Sequence, residues 1–550
     1  MAENSYTRRD FLKGIGLGSM AMMALPGCAG LARRLVKQVD KKRPNIVLIM
    51  ADDMGFGDLG CYGATKIPTP NIDRLASKGI RFTDAHTPSA LCTPTRYGVF
   101  TGRYCWRTRL KKIVASNFAS PLIEPQRMTI ASLLKNDGYA TACIGKWHLG
   151  LGWAAKEGEK LLDMLDPRSW NYKEQYKVDF SKPITGGPLE LGFDYFFGIS
   201  GANNMIPYCF IENDHTIGIP SVVKRPTYDK ESKEGLAVPG WKQEDIGPAL
   251  TKKAIRFIKQ HVNQKPSQPF FLYFPTSAVH RPCIPPKFIK GRSQAGLRGD
   301  MVAEVDWTVG EVLKTLNQLK ISDNTLVIVT SDNGAQPGDP ERFIKQLQTT
   351  PLGHKVSVPK EYKEGDAVDI SGKGFKWVTY GHKPNGDWRG YKSDIWEGGH
   401  RVPFVALWPG KIKPGSTSDD LICLTDFMAT FAAIVGEELP DYVAEDSYNV
   451  LSSLLSQKRD RTIREAIVLH SGHGIFAIRQ RQWKLIFGRG SGGETKPVKI
   501  KPKPGESLGQ LYDLNKDPAE LNNVWSEHPE IVKCLADLLE KYKREGHSRP

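Results

Sequence analysis

The chain is poor in cysteine, and it has no apolar run long enough to span a membrane. Nine cysteines are scattered over 550 residues with no C-x-x-C pair, which excludes a disulfide scaffold. The best apolar stretch, Ile15 to Leu25, is short and broken by glycine, so it cannot form a spanning helix. No internal repeat occurs, and no helix-turn-helix, zinc-finger or aromatic–basic RNA-binding signature. A hydrophobic content of 40% with 25% charged residues indicates a globular chain. Its formal charge of +16 favours anionic partners, and the missing motifs argue against nucleic acid as one of them.

Buried strands alternate with amphipathic helices over most of the length. Asn45–Met50, Phe270–Phe274, Leu326–Thr330 and Val402–Leu407 are apolar runs of strand length without polar alternation. Such runs suit strands covered on both faces of a parallel sheet. Asn71–Gly79, 246–264 and 300–320 have helical periodicity. This order predicts an α/β fold: a large, mainly parallel, doubly wound sheet flanked by helices. The character changes near residue 439. Ala466–Leu469, Ile475–Arg479 and Trp483–Phe487 predict a small antiparallel sheet, and Pro529–Arg544 a closing helix with its cations late, where the helix dipole favours them. The boundaries expected are 1–41 for a leader and tether, 42–438 for a catalytic domain and 439–550 for a C-terminal α+β subdomain. Three Gly-, Pro- and Lys-rich stretches, 151–190, 203–245 and 335–390, interrupt the alternation and are assigned to substrate selection.

Two predicted strands end in acidic or amide tips: Asp52-Asp53 after the first, and Asp332-Asn333 after Leu326–Thr330. Ligands of open α/β sheets sit at the carboxyl ends of strands. These oxygen donors therefore point to a hard cation, with calcium preferred over magnesium. No His- or Cys-rich set accompanies them, which disfavours zinc. Gly138–His148 reads as strand, tight turn, then Lys146 and His148. His280 follows the strand at 270, and Lys392 lies in a glycine-rich loop before Val402. The remaining motif is Cys92-Thr93-Pro94-Thr95-Arg96, followed by Thr101-Gly102-Arg103. Arg96 lies one helical turn from Cys92 and would face the same way.

The run C-x-P-x-R resembles the signature of type I sulfatases, in which the cysteine is oxidised to formylglycine. The order Asp-Asp, C-x-P-x-R, G-Y-x-T-x-x-x-G-K-x-H, a later His, Asp-Asn-Gly, then Lys before W-E-G-G is similar to that of these members of the alkaline-phosphatase-like superfamily. The terminal Gln510–Glu520 run also looks like theirs, so the resemblance covers roughly Lys42 to Asn523. It implies a sulfuric ester hydrolase. Cys92, once oxidised, would be nucleophile and metal ligand, and Asp52, Asp53, Asp332 and Asn333 would complete a calcium site. Arg96 would steady the formylglycine and Lys146 and Lys392 would bind sulfate. His148 would take a proton from the hemiacetal as sulfate leaves, and His280 would protonate the departing alcohol. The chemistry accounts for the aldehyde. A thiolate that attacks sulfur forms a stable adduct, whereas a geminal diol attacks with one hydroxyl and expels sulfate with the other. Position 95 is Thr where the family mostly has Ser or Ala. The family's further polar residue falls among Ser200, Asn203 and Asn204.

The expected substrate is a sulfated (poly)saccharide. The alternatives are a broad-specificity arylsulfatase, a phosphoester hydrolase of the same superfamily, and a catalytically dead glycan-binding lipoprotein. Trp106 and Trp388 either stack on sugars or belong to the core. Thr7–Lys13 matches the twin-arginine export pattern, and Leu25-Pro26-Gly27-Cys28 resembles a lipobox. The expected partners are therefore a formylglycine-generating enzyme, the export machinery and, through Cys28, a membrane. The expected location is the periplasm or outer membrane of a bacterium, with an ordinary cleaved export signal as the alternative. Cys143 is expected to pack in a strand as a small hydrophobe.

Overall fold

The computed structural model describes residues 43–163, 172–225, 234–337, 379–457, 459 and 461–550. The export motif, Cys28 and most of the 335–390 stretch lie outside the described residues.

The organising element is β1 (Asn45–Ala51), whose residues are all buried. Its side chains alternate between two cores. Ile46, Leu48 and Met50 face one, and Val47, Ile49 and Ala51 the other. This is the strand periodicity of two applied to a strand with no solvent face, which is why its sequence shows no polar alternation. β1 pairs in parallel with β7 (Phe270–Pro275) and β8 (Thr325–Ser331). Beyond β7 follow β3 (Ala140–Lys146) and β4 (Tyr195–Ile199), again parallel. The edges are short and mixed. β2 (Ile80–Phe82), β9 (Phe404–Leu407) and β10 (Ser416–Ser418) lie beyond β8; β5 (Ile211–Glu212) and β6 (His215–Thr216) lie beyond β4. The ten-stranded order is β10-β2-β9-β8-β1-β7-β3-β4-β5-β6.

Helices cover both faces. On one side α1 (Pro70–Lys78), α4 (Ile246–Gln264) and α5 (Gly296–Gln318) pack on Val47 and Ile49. The stripe of α4 is Ile246, Leu250, Ala254 and Ile258, one residue per helical turn, all buried. On the other side lie α2 (Cys92–Thr101), α3 (Ile130–Asn136) and α6 (Phe427–Val435). Burial of each large aliphatic side chain here contributes about 1.5–3 kcal/mol.

Two details depart from the sequence reading. Lys146 is the last residue of β3, so no turn precedes it. Glycine is needed at 145, inside the strand, because a Cβ there would come within 1.8 Å of the Pro275 carbonyl oxygen. The 203–245 stretch also carries β5 and β6, which extend the sheet. Cys143 is buried within β3, as expected, and all eight described cysteines are free.

The C-terminal sheet is antiparallel: β11 (Ile467–His470), β12 (Phe476–Gln480), β13 (Trp483–Ile486) and β14 (Gln510–Asp513), backed by α7 (Pro529–Glu545). The fourth strand falls on the family's terminal motif. The described residues from 44 to 550 form one compact unit. Buried ion pairs join its two sheets. Arg479 of β12 holds Asp84 at 2.7 Å, and Lys484 of β13 holds Glu397 at 3.0 Å and Glu520 at 2.8 Å. Arg401 bridges Glu397 and Asp84, and His86 and His400 meet Nδ1 to Nδ1 at 2.9 Å. Burial holds both histidines below their usual range, so one neutral ring donates to the other.

Glu304 of α5 is buried against Gly247, with Oε2 unpartnered, and burial alone pushes its carboxyl up to about 8. The folded protein keeps a proton that the unfolded chain releases near pH 4.5. This contribution to stability is complete at acid pH and fades as pH rises from there through 8, with a limiting slope of about 1.4 kcal/mol per pH unit. Thermal melts of Glu304→Gln across pH 5–8 should show a flatter pH dependence than the parent; parallel curves would refute the assignment.

Candidate active site

Apart from Lys392, which comes from the loop before β9, the predicted site residues arrive from five elements at one end of the sheet. Asp52 and Asp53 follow β1, Asp332 and Asn333 follow β8, and Lys146 ends β3. His280 lies in the loop after β7, and Cys92 is the first residue of α2, where the helix N-terminus faces the strand tips. Asp53 and His148 have positive φ, 64° and 58°, which marks sharply turned backbone just past β1 and β3. Cys92, Lys146, Asp52, Asp53, Asp332 and Asn333 are all essentially inaccessible.

Three ion pairs hold the cluster together. Lys146 Nζ donates to both oxygens of Asp52, at 2.9 and 2.8 Å. Lys392 Nζ reaches Asp53 at 2.8 and 2.7 Å. Arg96 places Nε and Nη2 on Asp332 Oδ2, at 3.0 and 2.6 Å, and donates Nη1 to the Lys146 carbonyl at 3.0 Å. Arg96 therefore ties α2 to β3 and to the tip of β8. Thr95 hydrogen-bonds the Ser89 carbonyl at 2.9 Å, so the hydroxyl at this position braces the turn leading into Cys92. Arg298 pairs with Asp58 and also supports the Asp53 carbonyl at 3.2 Å.

Burial would raise the Asp53 carboxyl, yet Lys392, His280 and Lys146 hold it well below the usual carboxylate range. Burial pushes the Cys92 thiol up, and the two lysines only partly offset it. An unmodified Cys92 is thus a protonated thiol and a weak nucleophile. Burial, followed by Lys146 and Arg96, keeps His148 neutral. Burial and Lys392 do the same for His280. His148 Nε2 contacts the Ala115 carbonyl at 3.2 Å and leaves Nδ1 without a partner. His280 Nδ1 meets the Arg281 carbonyl at 2.7 Å, and Nε2 lies 3.7 Å from Asp53.

The donors fit a hard cation. Donor atoms of Asp52, Cys92 and Asp332 lie within 4.8 Å of one another, as do those of Asp52, Asp53 and His280. Asn333 donates its amide to Asp53 Oδ1 at 2.7 Å and leaves its own Oδ1 buried with no partner. A buried, unsatisfied carbonyl oxygen beside three carboxylates is what a metal ligand looks like before the metal is counted.

Among Ser200, Asn203 and Asn204, packing distinguishes Asn203. It is buried and donates to the carbonyls of Ser277 and His280, both at 3.1 Å. Residues 115–117 were not anticipated: the Ala115 carbonyl meets His148, and Ser116 and Asn117 each leave a buried polar atom unpaired. Trp106 and Trp388 are half-buried, the first stacked on Tyr104 and the second edge-on to Phe56 beneath Arg401.

The sulfatase family model matches residues 44–437. The chain belongs to the sulfatase family. It is accordingly a sulfuric ester hydrolase, and the family normally works through formylglycine and a bound metal ion. A second family model, the C-terminal part of N-sulphoglucosamine sulphohydrolase, matches residues 386–545. An N-acetylgalactosamine-6-O-sulfatase of Bacteroides thetaiotaomicron is 35% identical to this sulfatase, covering 96% of this chain and 99% of that protein. Human arylsulfatase A is 30% identical, covering 95% and 90%. A solved Bacteroides thetaiotaomicron structure, described under the metabolism of multiple glycosaminoglycans, superposes with a TM-score of 0.73 at 35% identity, covering 92% of this chain and 100% of that one.

Replacing Arg96 by Met would leave Asp332 buried and unpaired, at a cost of about 3–5 kcal/mol. Denaturant unfolding should register a loss of that order. A change below about 1 kcal/mol would show that the pair is not an essential brace.

Proposed function

We propose that this sulfatase removes sulfate from a sulfated saccharide, using a formylglycine made from Cys92 as nucleophile and Ca2+ as the bound cation. The convergence of Cys92 with Asp52 and Asp332, donor atoms mutually within 4.8 Å, carries this reading. The near full-length match to a relative named for N-acetylgalactosamine-6-O-sulfate supports a saccharide substrate.

Asp52, Asp53, Asp332, Asn333 and the oxidised Cys92 would hold the cation, which supplies Lewis-acid polarisation of sulfate oxygens. Lys146 and Lys392 turn from the aspartates to the oxygens of the incoming ester. Arg96 keeps α2, and with it the nucleophile, fixed against Asp332. One hydroxyl of the hydrated aldehyde gives its proton to the neighbouring Asp332 carboxylate and attacks sulfur, the ester S–O bond breaks, and the departing alcohol oxygen takes a proton from His280. His148 then takes the proton of the second hydroxyl. The aldehyde C=O re-forms as the C–O bond to sulfate breaks, and water restores the diol. His280 starts from a depressed pKa set by burial and Lys392, and the negative charge of a bound ester offsets that lysine and raises it.

The same reading includes oxidation of Cys92 by a formylglycine-generating enzyme, followed by twin-arginine export. Cys28 becomes the lipidated first residue of a periplasmic or outer-membrane protein. Twin-arginine export carries folded proteins, which suits a cysteine modified before the fold closes over it.

Protein coproduced with a maturation enzyme should yield a Cys92 peptide whose mass reflects loss of a sulfur and two hydrogens and gain of an oxygen. It should hydrolyse an aryl sulfate far faster than the matching aryl phosphate. Cys92→Ala should melt cooperatively and show no turnover; full activity in that variant would refute the covalent route. Chelation should abolish turnover, and Ca2+ should restore it better than Mg2+. In cells, Cys28→Ala should move the protein from the membrane to the soluble fraction. Unchanged membrane association would count against the lipid anchor.

A further inference from the structure

The ribbon 489–503 rises from the C-terminal sheet and has no role in the chemistry above. Its two arms pair: Ser491 N donates to the Pro497 carbonyl at 3.0 Å, Gly492 N to the Val498 carbonyl at 2.9 Å, and Ile500 N to the Arg489 carbonyl at 3.0 Å. Arg489 and Glu506 close its base. Its tip rests on the catalytic rim. Glu494 N and Thr495 N donate to Asp394 at 2.9 and 3.1 Å, two residues after Lys392, and a Cβ on Gly493 would come within 2.5 Å of the Ser393–Asp394 backbone. Ser393 is itself bonded to Ala90, beside Cys92, and to Gly472, which in turn accepts from Ile113. Ribbon and nucleophile loop thus share one continuous rim.

Along the outer arm the residues alternate. Val498, Ile500 and Pro502 are half-buried, while Lys499, Lys501 and Lys503 are exposed. The pattern is that of an extended strand with one face packed, and it sets successive lysines about 7 Å apart on one side. Lys496 stands exposed at the tip. None of these four lysines makes an ion pair with any described residue, although lysines elsewhere, such as Lys253 with Glu212 and Lys135 with Asp194, are paired. Such a row of unpaired positive charge sets up a field that draws in an extended anion laid along it.

We propose that this lysine ribbon is a subsite for the anionic groups of neighbouring sugar units, so that the enzyme selects an oligo- or polysaccharide carrying several negative charges over an isolated sulfated sugar. The inference rests on the sulfated-saccharide reading and extends it from the bond cleaved to the chain that presents it. A regular row of point charges, without an exposed aromatic between them on which bases would stack, favours a sulfated glycan over a single-stranded nucleic acid.

The test compares the full-length matured enzyme with its Lys499→Gln/Lys501→Gln/Lys503→Gln variant on three substrates: an aryl sulfate, a sulfated monosaccharide and a sulfated oligosaccharide. Loss of three exposed charge contacts should lower kcat/KM for the oligosaccharide about tenfold, mainly through KM, and flatten its salt dependence. The two small substrates should be unaffected. Equal kcat/KM on the oligosaccharide, or an equal fall on all three substrates, would overturn the proposal. Equilibrium binding of the same oligosaccharide to Cys92→Ala protein reads the ribbon without turnover. Lysine-dependent binding to Cys92→Ala, alongside a matured parent enzyme that removes no sulfate from either saccharide, would sink the sulfated-saccharide reading of the active site and leave the ribbon standing as an anion-binding surface. Binding that ignores the lysines, or equal affinity for a single-stranded nucleic acid of matched charge, would sink the ribbon.

Discussion

Three carboxylates and three cationic side chains are buried together at the strand tips, and each charge is tolerable only because its partner arrives from a different element. Asp52 and Asp53 come from β1, Asp332 from β8, Lys146 from β3, Arg96 from α2 and Lys392 from a distant loop. A charge without its partner here would cost several kcal/mol, so the sheet, α2 and the loop must dock as one. Formally the cluster sums to zero. A divalent cation would leave it two units positive, a charge that the single negative charge of a sulfate ester halves and that the dianionic sulfate product would cancel. Apolar walls of low dielectric strengthen that attraction.

On the proposed mechanism, the same logic explains why the thiol needs modification. Enclosure makes the cations effective, but it also keeps Cys92 protonated. A hydrated aldehyde does not depend on ionisation in the ground state and tolerates the dry pocket. The pocket suits the chemistry of an aldehyde at position 92 better than that of the encoded thiol.

Much of this was legible in the amino-acid order. β1 and β8 announce themselves as unbroken apolar runs because both faces are covered, and α4 by an apolar residue at each turn. The acidic tips, Cys92, Arg96, Lys146, His148, His280 and Lys392 do meet, because strand ends of a parallel sheet gather at one rim. What stayed hidden depends on contacts distant in sequence. Gly145 reads as a turn until the Pro275 carbonyl pressing on it is seen. β5 and β6, of two residues each, are too short to show a period. Three polar residues between 200 and 204 look equivalent, and only packing against the 277–280 backbone distinguishes Asn203. The unpaired atoms of Ser116 and Asn117 have no signature in the chain at all.

The buried seam of Asp84, Glu397, Arg401, Arg479, Lys484 and Glu520 stitches the small sheet to the large one a few residues past Lys392. The two family matches overlap from 386 to 437, across that stitch. The C-terminal sheet is therefore no detachable appendage: much of the electrostatic support under the Lys392 loop belongs to it. A chimera that grafts the C-terminal sheet of another relative onto this enzyme would have to bring its own matching acids and bases on both sides of the junction. Inheritance of that module is thereby coupled to inheritance of the loop that carries Lys392.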